Sequence, residues 1–225
     1  MQTRDEGIDL RIYLANNSAP EFHFLAGKYG QVGWLLGPES INHTKYKNRY
    51  WIPLAFDNDA YSVKEGEQWD EAKWFAMLDK IEADNLKPEW VLLPDKLYDK
   101  EETLKKFYAY RHHLTRPGRE WSVAFAVQDG MVAQDVPCTA DVIFVGGSTK
   151  WKWKSLPMWT QCFPRVHVGR VNSPERLDTC KRLGVESVDG THWFRFRKPE
   201  EWCGMFVDFF EGVPSPQLDM FEVLE

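Results

Sequence analysis

The sequence has little of what usually announces a function. Its four cysteines, Cys138, Cys162, Cys180 and Cys203, show no CxxC spacing. That scatter argues against a zinc site and reads as reduced, mostly structural thiols in a cytosolic protein. No apolar run approaches the ~20 residues of a membrane span. The charged first residues hold no apolar segment of the signal-peptide kind. A cytoplasmic location without a membrane partner is therefore expected. Internal repeats and low-complexity segments are also missing. So is any excess of positive charge: 28 Lys and Arg stand against 34 Asp and Glu, a net charge of −6. Any contact with nucleic acid must then rest on local basic patches. What is plentiful is core material. The chain is 43% hydrophobic and 15% aromatic with 11 tryptophans, which excludes disorder. Its 225 residues suffice for one sizeable core but not for two ordinary domains.

The stretch Phe144-Val145-Gly146-Gly147-Ser148 carries the first local signal. Four apolar residues from Val142 run into two glycines, the pattern of a buried parallel strand ending in a bare backbone turn. A ligand can approach main-chain N–H groups there with no Cβ in the way. Lys150, Lys152 and Lys154 follow, interleaved with Trp151 and Trp153. We read them as a basic loop suited to phosphates and to base or sugar faces.

Strands are expected at 9–15, 50–56, 90–93, 122–127, 143–145, 164–168 and 186–188. Helices are expected at 68–83, from Asp99 to about 114, between Ser173-Pro174 and Gly184, and at 199–210. Residues 24–38, rich in glycine and apolar side chains, give no secure assignment. Strands alternating with helices fit repeated βα units. The expected fold is α/β, a trimmed (β/α)8 TIM-like barrel in one domain over 1–212, since about 250 residues is typical. Its eighth strand is not visible. An open doubly wound sheet is the alternative. Residues 213–225 are expected to form a flexible tail.

In such a barrel the catalytic face is built at the carboxyl ends of the strands. Here those positions hold Asp57, Asp95, Gln128, Gly146, Gly147, Arg170 and Asp189. Crowded carboxylates raise at least one pKa, which suits acid–base work. An aspartate after a strand is also the ordinary N-cap of the next helix, so the ordered set matters more than any one member.

That set resembles the guanine transglycosylases, the queuine and archaeosine tRNA enzymes and their 7-deazaguanine DNA relatives. Asp57-Asn58-Asp59-Ala60-Tyr61 is similar to the family's Asp-Ser-Gly-Gly-Phe loop. Leu93-Pro94-Asp95 stands at its purine-reading aspartate and Ala126-Val127-Gln128-Asp129-Gly130 at its Val-Gln-Gly-Gly segment. Phe144-Val145-Gly146-Gly147 matches its Gly-Gly turn. His167-Val168-Gly169-Arg170-Val171 with Ser173-Pro174-Glu175 resembles its Met-Gly-Val-Gly-x-Pro-Glu run. Gly184-Val185-Glu186-Ser187-Val188-Asp189-Gly190 resembles the segment that ends on the family's nucleophile. The matches keep their order from about Asp57 to Thr191. The family's Cys-rich zinc insertion and its Pro-Thr-Arg run are missing; Thr191-His192-Trp193-Phe194-Arg195 stands in place of the latter. A short, zinc-free chain looks most like the DNA transglycosylases of phages and bacteria.

The resemblance implies a (β/α)8 barrel that exchanges guanine in DNA for a 7-deazaguanine, with tRNA as the alternative substrate. Asp189 would be the nucleophile and Asp57 the general acid–base. Asp95, Gln128, Gly146 and Gly147 would bind the base. Lys150, Trp151, Lys152, Trp153, Lys154, Arg170, Arg195 and Arg197 would hold the polynucleotide. No metal or cofactor is implied. A base-excising hydrolase with the same aspartates and an inactive binding module are the competing classes. In the tail, Gln217-Leu218-Asp219-Met220-Phe221 resembles the pentapeptide by which bacterial proteins dock on the DNA sliding clamp. Its apolar side chains would anchor in a groove.

Overall fold

A computed structural model of the chain describes residues 10–15, 17–42, 49–63, 67–195 and 197–213. The pentapeptide 217–221 lies outside the described residues. Eight parallel strands close into a barrel in chain order. They are β1 (Arg11–Ala15), β2 (Val32–Leu36), β3 (Leu54–Phe56), β4 (Pro88–Leu92), β5 (Val123–Val127), β6 (Val142–Val145), β7 (Val166–Val168) and β8 (Ser187–Asp189). Pairing of Tyr13 with Asp189 in the β1–β8 register seals the ring and rules out the open sheet. Around it lie α1 (Pro20–Lys28), α2 (Glu71–Ala83), α3 (Lys100–Tyr110), α4 (His112–Thr115), α5 (Thr149–Cys162), α6 (Pro174–Arg182), α7 (His192–Arg195) and α8 (Pro199–Glu211).

The strand missing from the sequence reading is the second, not the last. It lies in the unassigned stretch 24–38, where α1 and β2 follow one another. All five β2 residues are buried, so no polar alternation marks it. Gly33 disguises it further. A Cβ there would sit 2.6 Å from the Pro53 carbonyl and 2.8 Å from the Tyr13 ring. The glycine is what lets Tyr13 fill the barrel interior. The same economy runs round the ring: Ala55, Ala124 and Ala126 are small where Tyr13 and Trp90 are large, and these side chains form one inner cluster. Tyr13 and Trp90 meet edge to face with centroids 5.8 Å apart. The outer faces of the strands and the inner faces of the helices make the larger core.

Helix starts follow local chemistry. Asp70, Asp99 and Ser173 each accept a hydrogen bond from the backbone N–H three residues on, closing the first turns of α2, α3 and α6. One expectation is corrected. Residues 149–154 are not a loop but the first turns of α5. A helix turns its side chains through all directions, so the three alternating lysines face different surroundings. Lys150 and Lys154 are exposed, whereas Lys152 is buried.

Candidate active site

The loops after the strands enclose a cavity of about 710 Å³. Asp57, Asp95, Gln128, Gly146, Gly147, Arg170, Asp189 and Arg195 all line it, joined by Asn58, Asp59, Tyr61 and Phe144. Seven strand-end positions spread over 133 residues of chain are thus brought to one place by barrel closure.

Asp95 is buried on the cavity floor. The Asn58 side-chain amide donates to its Oδ1 at 2.9 Å and the Gln128 amide to its Oδ2 at 2.6 Å. Asn58 also donates to the Leu93 carbonyl at 2.6 Å, and its own oxygen accepts from the Ala60 N–H at 2.7 Å. The Tyr98 N–H holds the Gln128 oxygen at 3.0 Å, which turns the amide nitrogen towards Asp95. Burial raises the Asp95 pKa, and the Asn58 hydrogen bond opposes the rise.

Asp57 sits at the end of β3 with its Oδ1 accepting from the Asn58 N–H at 2.6 Å and the Asp59 N–H at 3.2 Å. Burial pushes its pKa up to about 8, and the nearby charges of Asp59, Asp189 and Asp95 add to the rise. Asp57 therefore carries a proton at neutral pH. Asp189, the last residue of β8, has a donor on each oxygen. The His167 Nε2 lies 3.0 Å from its Oδ2, and the Arg170 N–H donates to its Oδ1 at 3.2 Å.

The loop after β7 is built around Arg170, whose φ of +59° is uncommon for a side chain of this size. Its guanidinium donates to the Gly147 carbonyl and lies 4.5 Å from the Tyr61 ring centroid. Gly147 itself has a φ of +65°. A Cβ there would meet Asp129 Oδ2 at 2.6 Å and the Trp151 ring at 2.7 Å. Asp129 in turn accepts from the Ser148 N–H at 2.6 Å and the Ser148 hydroxyl at 2.5 Å, pinning the Gly-Gly turn to the β5 loop. No family model and no curated protein matches this chain.

The remaining polynucleotide-binding candidates scatter. Lys152 is 1% exposed and its Nζ donates to the Gly169 carbonyl under the β7 loop. Burial pulls its pKa down to about 8. It supports the loop and is not available to a phosphate. Trp151 packs against the core, and Trp153 lies between the Lys152 and Arg176 cations at 5.5 and 5.2 Å. Arg197 stacks over Trp193 at 5.7 Å with its Nη1 against the Met205 sulfur. Lys150, Lys154 and Arg195 remain exposed.

Three participants escaped sequence reasoning: Asn58, Asp129 and His167. His167 was legible in principle, because it lies two residues before Gly169 in a short apolar strand and so shares a face with the turn. Asn58 and Asp129 act through partners 37 and 19 residues away, which no local pattern records. Among the described residues no group of three or more His, Cys, Asp or Glu side chains is arranged to hold a metal ion. No helix among them is long and apolar enough to cross a membrane.

Proposed function

We propose that this protein is a base-exchange glycosyltransferase that replaces guanine in DNA with a 7-deazaguanine through a covalent aspartyl-glycosyl intermediate. The observation that carries the reading is the contrast between two aspartates in one cavity. Asp57 holds a proton near neutrality, whereas Asp189 has a hydrogen-bond donor on each oxygen. A protonated carboxyl group beside a carboxylate held by donors divides the roles into an acid and a nucleophile. The strand-end motifs shared with guanine transglycosylases point the same way.

In this mechanism Asp189 attacks C1′ of the target nucleoside and the C1′–N9 bond breaks. The departing purine takes its proton from Asp57. The ester to Asp189 keeps the strand whole. The incoming base then surrenders its N9 proton to Asp57 and displaces Asp189, whose carboxylate recovers the electron pair. Asp95 and the second N–H of the Gln128 amide face the purine edge, and the Gly147 N–H faces its carbonyl. The target base must leave the stack to enter the cavity, at a cost of a few kcal/mol. Lys150, Lys154 and Arg195 serve the phosphates, and Arg170 braces the rim. A bacterial or phage-infected bacterial cytoplasm is the matching setting.

The test is incubation with guanine-containing DNA and, separately, tRNA, in the presence of labelled guanine or 7-deazaguanines. Label should enter DNA, and a denaturing gel should show a protein–DNA adduct. Asp189→Asn should abolish both while leaving DNA binding intact. Label entering only tRNA would make tRNA the substrate. Release of guanine without incorporation would make the protein a hydrolase. An Asp189→Asn variant that exchanged base at the wild-type rate would sink the assignment.

A further inference from the structure

His167 lies directly behind Asp189 and has no part in the scheme above. It is fully buried in the barrel interior. The rings of Trp90 and Phe144 lie 4.7 Å from its own, and that of Tyr13 lies 6.0 Å away. Among the described residues, two polar partners reach it. Its Nε2 is 3.0 Å from Asp189 Oδ2 and its Nδ1 is 2.9 Å from Ser187 Oγ. A carboxylate can only accept, so Nε2 bears the hydrogen; in the neutral ring Nδ1 then accepts from the Ser187 hydroxyl. Ser187 and Asp189 are alternate residues of β8 and share its inward face. The chain Ser187–His167–Asp189 thus sets both the tautomer and the ring orientation.

We infer that His167 is a positioning residue for Asp189 that stabilises its carboxylate as it departs from C1′. This rests on the proposed base exchange and assigns it a further participant. A donor on Oδ2 favours the free carboxylate over the ester, because the charge on the accepting oxygen is greater in the former. The two half-reactions should feel its loss unequally. Attack by Asp189 consumes the negative charge, so the donor stabilises the starting state and its removal costs little beyond orientation. Departure of Asp189 restores the charge, so removal raises that barrier. A histidine that only filled the core would show no such asymmetry.

The experiment measures single-turnover formation and consumption of the covalent adduct, using the full chain, a labelled guanine-containing DNA oligonucleotide and a chase of free guanine. His167→Phe keeps a buried ring and removes the donor. Adduct consumption should slow about 10- to 100-fold, the usual effect of one lost hydrogen bond to a charged group. Formation should change far less, so adduct accumulates, and affinity for the oligonucleotide should hold. His167→Gln restores an N–H near the Nε2 position and should recover most of the consumption rate. Equal slowing of both steps, or a Gln variant as slow as the Phe variant, would overturn the inference. Should His167→Phe fail to fold, Ser187→Ala carries the test: slower consumption with unchanged formation supports the positioning role, and unchanged consumption overturns it. A wild-type protein that forms no adduct and exchanges no base would overturn the proposed function and this inference together. An active wild type with an indifferent His167→Phe variant overturns the inference alone.

Discussion

At Asp57, burial and three neighbouring carboxylates all act in one direction, lifting the pKa from 3.8 to about 8. The consequence for activity is a rate that declines above about pH 8, where the acid has lost its proton. Asp57→Asn should lower exchange by about 10²- to 10⁴-fold and abolish that limb of the profile. The consequence for stability has a definite sign. Between 3.8 and about 8 the folded chain holds a proton at Asp57 that the unfolded chain has released. Stability therefore falls as pH rises through this window and levels off above it. Urea denaturation at pH 6 and pH 9 should show a larger loss for the wild type than for Asp57→Asn. Equal losses would mean that Asp57 ionises normally. The position of Asp57 at a strand end was legible in the sequence. Its environment was not, because Asp95 and Asp189 lie 38 and 132 residues further along the chain and meet it only through the closed barrel.

Among the elements, α5 shows how a local pattern misleads. Alternating Lys and Trp from 150 to 154 suggest a flat basic surface, but the helix sends Lys152 inward to the Gly169 carbonyl and keeps Lys150 and Lys154, four residues apart, on one exposed face. Charge reversal of Lys150 and Lys154 together should flatten the dependence of log K on log[salt] by nearly 2 for duplex DNA, if each meets a phosphate. Lys152→Met should leave that slope alone, since its Nζ never reaches solvent. A slope that responded to Lys152 instead would mean that its ammonium leaves the Gly169 carbonyl to meet a phosphate. β2 fails in the opposite way: fully buried and interrupted by Gly33, it offers no period of either kind. Capped helices were readable because their signals are local. Asp70, Asp99 and Ser173 contact an N–H only three residues away.

On the scale of the whole molecule, closure brings β1 against β8 and packs α1 beside α8, where Tyr29 stacks on Phe210 at 4.5 Å and Lys28 pairs with Glu211 at 2.5 Å. The chain continues past α8 into the pentapeptide 217–221, whose resemblance to clamp-docking sequences gives a test of its own. A synthetic peptide of residues 214–225 should bind purified bacterial sliding clamp with an affinity on the order of micromolar. Replacing Gln217 and Phe221 by Ala should remove that binding; a clamp indifferent to both peptides would end the proposal. The amino-acid sequence by itself determined the alternation of strands and helices and the run of polar residues at strand ends, because each depends on neighbours within a few positions. Only the tertiary structure decided that the sheet closes, that Lys152 is a strut, that Asp57 keeps its proton and that His167 stands behind Asp189. Those outcomes depend on burial and on contacts between residues distant in the chain, 17 positions apart for Lys152 and Gly169 and 22 for His167 and Asp189, and burial sets the strength of every charge and hydrogen bond in the cavity.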